Sequence, residues 1–364
     1  MERQSPIGVA TGCAMGIPVV NTGIVKVRSG VPKTGETLLS VRALSACYRT
    51  QTRQLVAVSD LSFDVAQGEI VGVLGESGCG KTTVALSILR LLPDNAKVIS
   101  GSVLFQGKDL LLLAESQLRN IRGAEAAIIH QDASVLNPLI RVGDQVSQVL
   151  RAHQRCSRIE ARERVQELFS SIGLLECERL YEAYPHQLSG GQRQRIGIAQ
   201  ALVCKPRLVI ADEPTASLDQ RTNIEILSLI RQLRESCGTS FLVISHDPDA
   251  LAAIADRIIV MYAGQIVEEG PVVDVYSQPL HPYTRALLQC APTQVPVTEI
   301  GDDTPRLPFI PGSPPDPLDP MPGCSFSCRC ADRMQVCDLQ KPDQILASPS
   351  RLVRCFKYED RSHV

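Results

Sequence analysis

Eight consecutive residues, Gly75-Glu76-Ser77-Gly78-Cys79-Gly80-Lys81-Thr82, fit the pattern G-x-x-x-x-G-K-[ST]. Gly75, Gly78 and Gly80, with Ser77 between them, let backbone N–H groups turn inward around phosphate oxygens, and a following helix directs its positive end at them. Lys81 would neutralise β- and γ-phosphate charge, Thr82 would offer its hydroxyl to Mg²⁺, and Thr83 extends the same nucleotide-holding run. A second segment, Leu208-Val209-Ile210-Ala211-Asp212-Glu213, is an apolar run that ends in two carboxylates. Asp212 would hold Mg²⁺ through its water shell, and Glu213 would polarise an attacking water as general base. Taken singly, the first segment could be a glycine-rich turn and the second an exposed acidic turn. Together they imply hydrolysis of a nucleoside triphosphate.

Such groups need a rigid frame. Short apolar runs from Glu69 to Leu74, Leu208 to Ala211, Phe241 to Ser245 and Arg257 to Met261 suit buried parallel strands. Helical spacing recurs in Ile224, Leu227, Ile230 and Leu233, in Val165, Leu168, Phe169 and Ile172, and in the run from Val84 to Leu92. The expected fold is α/β, a doubly wound sheet. Between Gln131 and Gln187 strand signals vanish, which predicts a helical subdomain at about 132–187 inserted into the core. Ala263-Gly264 reads as a turn between two strands. Beyond it, Pro311, Pro314, Pro315, Pro317, Pro320 and Pro322 forbid regular helix or central strand. The division is then an N-terminal extension over 1–38, a nucleotide-binding domain over 39–290 and a small loop-rich module over 291–364. The extension reads as disordered, with a secretory signal as the competing reading of its run from Ile7 to Val20.

Composition narrows the partners. Apolar residues make 44% and charged residues 21% of the 364, an ordinary globular balance. With 37 basic against 39 acidic residues no net positive field favours nucleic acid. No stretch approaches the roughly 20 apolar residues needed to span a bilayer, so any channel belongs to other chains. Eight of the 13 cysteines are scattered through the first 290 residues, which is no disulfide framework, and five crowd near the C-terminus.

Leu188-Ser189-Gly190-Gly191-Gln192, followed by Arg193-Gln194-Arg195, narrows the class. It resembles the signature of ABC-type ATPases, and its logic is a second phosphate cap at a helix N-terminus. The resemblance implies a P-loop ABC ATPase core in which each ATP lies between one subunit's P-loop and the signature of the facing subunit. It also implies that Tyr48 stacks on adenine and that Gln131 senses Mg²⁺ and the attacking water. Ser217-Leu218-Asp219 would cross the dimer interface, and His246 would contact the γ-phosphate.

Finer wording is similar to the ATP-binding subunits of oligopeptide and dipeptide importers: the P-loop itself, Leu136-Asn137-Pro138, His281-Pro282-Tyr283-Thr284 with Leu287-Leu288, and the cysteine-bearing tail. The implied cofactors are ATP and Mg²⁺. The implied partners are transmembrane permease subunits, a second ABC ATPase in a favoured heterodimer, and indirectly a substrate-binding protein, with no nucleic acid. The implied place is peripheral, on the cytoplasmic face of the cell membrane. Cys324, Cys330, Cys337 and Cys355 reproduce positions that hold a [4Fe–4S] cluster in some members of that family, and four thiols in a module with little core suit a stabilising metal centre. Their spacings of five, six and seventeen intervening residues do not match the paired C-x-x-C of a zinc ribbon, yet zinc and unligated thiols stay open. Cys328 is extra. His130 and Ala133 depart from the family's aromatic and proline, which bears on partner identity and not on catalysis. Two other classes remain in view: a soluble ABC ATPase acting on nucleic acid or ribosomes, and an ATP-sensing iron–sulfur regulatory protein.

Overall fold

The computed structural model describes residues 35–50, 53–131, 136–216, 218–291, 308–319 and 321–361. Nearly all of the expected extension, and with it the secretory-signal alternative, lies outside these residues. So do Ala133, Ser217, Pro320 and residues 292–307.

Strands β1 (Thr37–Arg49) and β2 (Gln54–Ala66) pair antiparallel, and β3 (Ile70–Leu74) then runs into the P-loop and helix α1 (Lys81–Ile88). Strands β4 (Ala96–Phe105) and β5 (Lys108–Asp109) return to β1, giving a four-stranded sheet in the order β2-β1-β4-β5. Sequence periodicity does not announce this sheet, because β1 shifts register at several points and Ala43 and Asp60 take positive φ, which breaks simple alternation.

Helix α2 (Glu115–Ile121) leads to β6 (Ala126–Ile129), and among the described residues helices then follow: α3 (Val142–His153), α4 (Arg158–Ser171), α5 (Cys177–Glu182) and α6 (Gly190–Leu202). Ser157 starts α4 with a capping box, its hydroxyl accepting from Glu160 N while Glu160 accepts from Ser157 N. Val142, Val146 and Leu150 of α3 bury the apolar stripe against Ala161, Val165 and Phe169 of α4.

The chain then alternates through β7 (Leu208–Asp212), α7 (Gln220–Cys237), β8 (Ser240–Ser245), α8 (Pro248–Ile254), β9 (Arg257–Tyr262) and β10 (Gln265–Pro271). Every residue of β3, β7 and β8 is buried, as parallel strands covered on both faces must be. Strands β9, β3, β8, β7 and β6 run parallel in that order, with β10 antiparallel on β9 through the Ala263-Gly264 turn. Both turn residues have positive φ, as a two-residue hairpin of this hand requires.

Helices α9 (Val272–Ser277) and α10 (Pro282–Gln289) close the core, and the tail adds α11 (Val336–Leu339), β11 (Ile345–Ser348) and β12 (Arg351–Val353). Strand β12 pairs with β10, so the tail extends the main sheet to eight strands among the described residues. Fully buried Glu268 fastens this joint: it accepts from Leu280 N and His281 N, both at 2.9 Å, and from Arg351 Nη2 at 2.5 Å. His281 Nδ1 accepts from Tyr283 N to cap α10, and burial pushes this imidazole down to about 3, so it stays neutral. Phe326 of the tail packs edge-on to Tyr262 and Tyr283, with ring centroids 5.2 and 5.4 Å away. Among the described residues no helix is long and apolar enough to cross a membrane.

Candidate nucleotide site

The P-loop follows β3 at the carboxyl end of the parallel sheet, where an open α/β fold binds its ligands. Its glycines are required by contact: a Cβ on Gly75 would lie 2.4 Å from Met261 O, and one on Gly80, at φ +102°, would lie 2.4 Å from Ala57 O. The hairpin turn of β9 and β10 braces the loop, Gly264 N donating to Cys79 O at 3.0 Å. Lys81 is buried and donates to Gly75 O (2.8 Å) and Glu76 O (3.0 Å), folding its ammonium over the loop that a polyphosphate would fill. Ser77, Gly78 and Thr82 are exposed beside it, and Thr83 is buried. Tyr48, half-buried on β1, reaches this helix start, its hydroxyl 3.2 Å from Thr83 Oγ1.

Asp212 ends β7, on the far side of β8 from the P-loop strand, and is buried, with Oδ1 lacking any hydrogen-bond partner. Burial raises its pKa, while the Thr82 hydroxyl and the Lys81 ammonium oppose that shift. An orphaned carboxylate oxygen beside a hydroxyl fits a hard divalent cation such as Mg²⁺. Glu213, one residue on, holds a left-handed backbone at φ 47°. That strain aims its carboxylate at His246, whose Nδ1 is 2.9 Å from Oε2, and at Gln131, whose Nε2 is 3.5 Å from the same oxygen. The P-loop, Asp212, Glu213, Gln131 and His246, distant in sequence, are thus brought to one end of the sheet.

The signature is elsewhere. Exposed Ser189 caps α6 in a box with Gln192, its hydroxyl accepting from Gln192 N at 3.2 Å and its own N–H donating to Gln192 Oε1 at 3.0 Å. Gly191 abuts Thr222 so closely that a Cβ would lie 2.9 Å from the threonine methyl. Thr222 in turn donates through N and Oγ1 to Asp219, the cap of α7, and these bonds hold the Asp219 carboxyl below its usual range. Ser189, Gly190, Gly191, Gln192 and Asp219 form one exposed corner. They share no hydrogen bond with the P-loop.

Residues that sequence reasoning missed touch the P-loop from outside. Tyr283 accepts at its hydroxyl from Glu76 N (3.0 Å), and Arg329 of the tail donates twice to the Glu76 carboxylate, at 2.7 and 2.9 Å. The one available signal was Glu76 itself, an acidic residue in a loop built for anions.

Cys324, Cys330, Cys337 and Cys355 line a single small cavity with His281, Phe326 and Pro342. Burial pushes the thiols of Cys324, Cys330 and Cys355 up, Cys355 to about 11. The donor type suits a cluster, but as placed the cysteines do not: among the described residues no group of three or more His, Cys, Asp or Glu could hold a metal ion. The expected metal centre gains no support from this geometry.

Residues 58–216 match the ABC transporter family, and residues 267–337 match the oligopeptide/dipeptide transporter C-terminal region. The chain is 41% identical to the dipeptide transport ATP-binding protein DppD of Bacillus subtilis over 90% of its own length and 96% of that protein. The chain belongs to the ATP-binding proteins of the peptide ABC transporters. A probable peptide ABC transporter ATP-binding protein of Sinorhizobium fredii is 42% identical over 88% of this chain and 95% of its own. Among solved structures, a dimeric post-hydrolysis state of the ATP-binding cassette MJ0796, bound to ADP and Pi, superposes with TM-score 0.59 at 30% identity, covering 64% of this chain and 98% of that one. This ABC ATPase therefore has the fold and class expected from its motifs. Neither the nucleic-acid-directed nor the iron–sulfur regulatory alternative gains support.

Proposed function

We propose that the chain hydrolyses ATP to drive import of dipeptides or oligopeptides through separate permease subunits. The observation that carries the chemistry is the convergence of Gln131 and His246 on the Glu213 carboxylate beside the P-loop and Asp212. Lys81 would exchange its two loop carbonyls for β- and γ-phosphate oxygens, so the ammonium is already positioned when ATP arrives. Asp212, with Thr82 and Gln131, would hold Mg²⁺, which when bound neutralises phosphate charge. Glu213 would take the proton of the attacking water while Gln131 orients that water, and the ring nitrogen of His246 not facing Glu213 is left for the γ-phosphate.

The signature corner of one copy would cap ATP on the P-loop of another, through Ser189 and the amides of Gly190 and Gly191. What supports this is its exposure and its lack of hydrogen bonds to the P-loop of its own chain. We favour a second, different ABC ATPase as the facing subunit, permeases at the cytoplasmic face of the membrane, and a binding protein that delivers solute to them. A groove lined by Ile128, His130, Leu136, Val149, Gln194 and Ala201, between β6 and α6, offers the permease a surface. The division at about residue 290 and the helical subdomain at about 132–187 belong to the same reading, the latter supported by α3 to α5. A [4Fe–4S] cluster on the four tail cysteines is the finer reading of that module; the four line one cavity, but as placed they form no metal-holding group among the described residues.

Glu213→Gln tests the motor. Steady-state phosphate release should fall about 10²-fold or more while ATP stays bound. A variant that still turns over at the wild-type rate would remove Glu213 from the reaction.

A further inference from the structure

Glu76 poses an electrostatic problem. It is the second residue of a loop whose purpose is to surround a polyphosphate, and its carboxylate carries the same sign as the ligand. The tail supplies the answer. Arg329, with only 5% of its side chain exposed, straddles the carboxylate with both terminal nitrogens, and the arginine is itself oriented by Pro311 O at 3.0 Å from Nε and Tyr262 OH at 3.3 Å from Nη1. A planar fork on a carboxylate fixes direction as well as charge. The same residue 76 is held at its N–H by the Tyr283 hydroxyl and at its carbonyl by Lys81. Every polar group of Glu76 is thus engaged, and the group that cancels its charge lies 253 residues away in sequence.

We infer that Arg329 is a positioning residue for the nucleotide site: it neutralises and orients Glu76 so that the P-loop accepts ATP, and the C-terminal module thereby sets nucleotide affinity. This rests on the ATPase reading above and adds a residue to it. Without Arg329 the half-buried carboxylate would stand unpaired beside the incoming triphosphate, weakening binding more than it slows the chemical step. Removing the Glu76 charge as well should relieve that repulsion. Removing it alone should leave a buried cation near the phosphates.

The test measures the affinity of the full-length purified chain for a fluorescent ATP analogue with Mg²⁺, together with KM and kcat in the assembled ATPase. Arg329→Met should weaken binding about tenfold, about 1.4 kcal/mol, with KM rising and kcat nearly unchanged. The double variant Arg329→Met with Glu76→Gln should return most of that affinity, and Glu76→Gln alone should bind more tightly than wild type. Wild-type affinity in Arg329→Met overturns the inference. So does a double variant as weak as the single, which would mean that Arg329 only holds the tail in place. Should Arg329→Met fail to fold, Glu76→Gln alone decides, and unchanged or weaker binding in it counts against the inference. Failure of the wild-type chain to bind nucleotide would instead remove the ATPase reading.

Discussion

His246 Nδ1 lies 2.9 Å from Glu213 Oε2, and the glutamate reaches it from a left-handed backbone. A non-glycine residue holds such a conformation at a cost of about 1–2 kcal/mol, so the contact is over-determined by the strands on either side. Glu213 N donates to Ile244 O of β8, and His246 follows directly on that strand, so one strand fixes both partners. His246→Ala should therefore lower kcat about 10²-fold with little change in ATP affinity, read by phosphate release and nucleotide titration. Equal losses in affinity and turnover would indicate that the histidine holds the loop and not the reaction.

Tyr48, half-buried, touches the start of α1 through its hydroxyl on Thr83, and its ring would stack on adenine. Tyr48→Ala should weaken ATP binding by about 1 kcal/mol, and Tyr48→Phe, which keeps the ring and loses the hydroxyl, by much less. If the two variants behave alike, the hydroxyl contact matters and the ring does not.

Ser189 and Gln192 cap each other in the free corner of α6. Arginine at 189 would break that box and block a facing γ-phosphate, so Ser189→Arg should keep single-chain ATP binding yet cut hydrolysis by the assembled pair about 10²-fold. A rate equal to wild type would mean that no phosphate is capped there.

The Glu268–Arg351 pair is buried on both sides, with side chains 0% and 8% exposed. Arg351→Met should cost about 3–5 kcal/mol in thermal or denaturant unfolding because it strands a buried charge, and adding Glu268→Gln should restore part of it. Additive losses in the double variant would show that the two charges do not interact.

The tail thiols give a direct chemical readout. A resident cluster requires iron by elemental analysis and absorption near 400 nm in protein purified without oxygen. Colourless, iron-free anaerobic material rejects the cluster on Cys324, Cys330, Cys337 and Cys355.

Much of the candidate nucleotide site was legible in the sequence because phosphate chemistry demands fixed residue types at fixed local spacing. The P-loop lies between a strand and a helix as its pattern requires, and Asp212 and Glu213 end a strand whose burial follows from an unbroken apolar run. What escaped depends on contacts without local period. Strand β1 hides its alternation behind register shifts, and β12 is three residues long, too short to carry a pattern. Arg329 is one of 37 basic residues until folding sets it on Glu76. His246 and Gln131 were found by order alone, since neither type marks a site without its neighbours.

Strand β12 covers the outer rim of β10, and this has a practical consequence. Shortening the gene after α10 to obtain a minimal cassette would bare a row of backbone donors and acceptors and leave Glu268 with no countercharge. Such a fragment should clump through that rim before it ever meets ATP, so the appendix cannot be discarded as decoration.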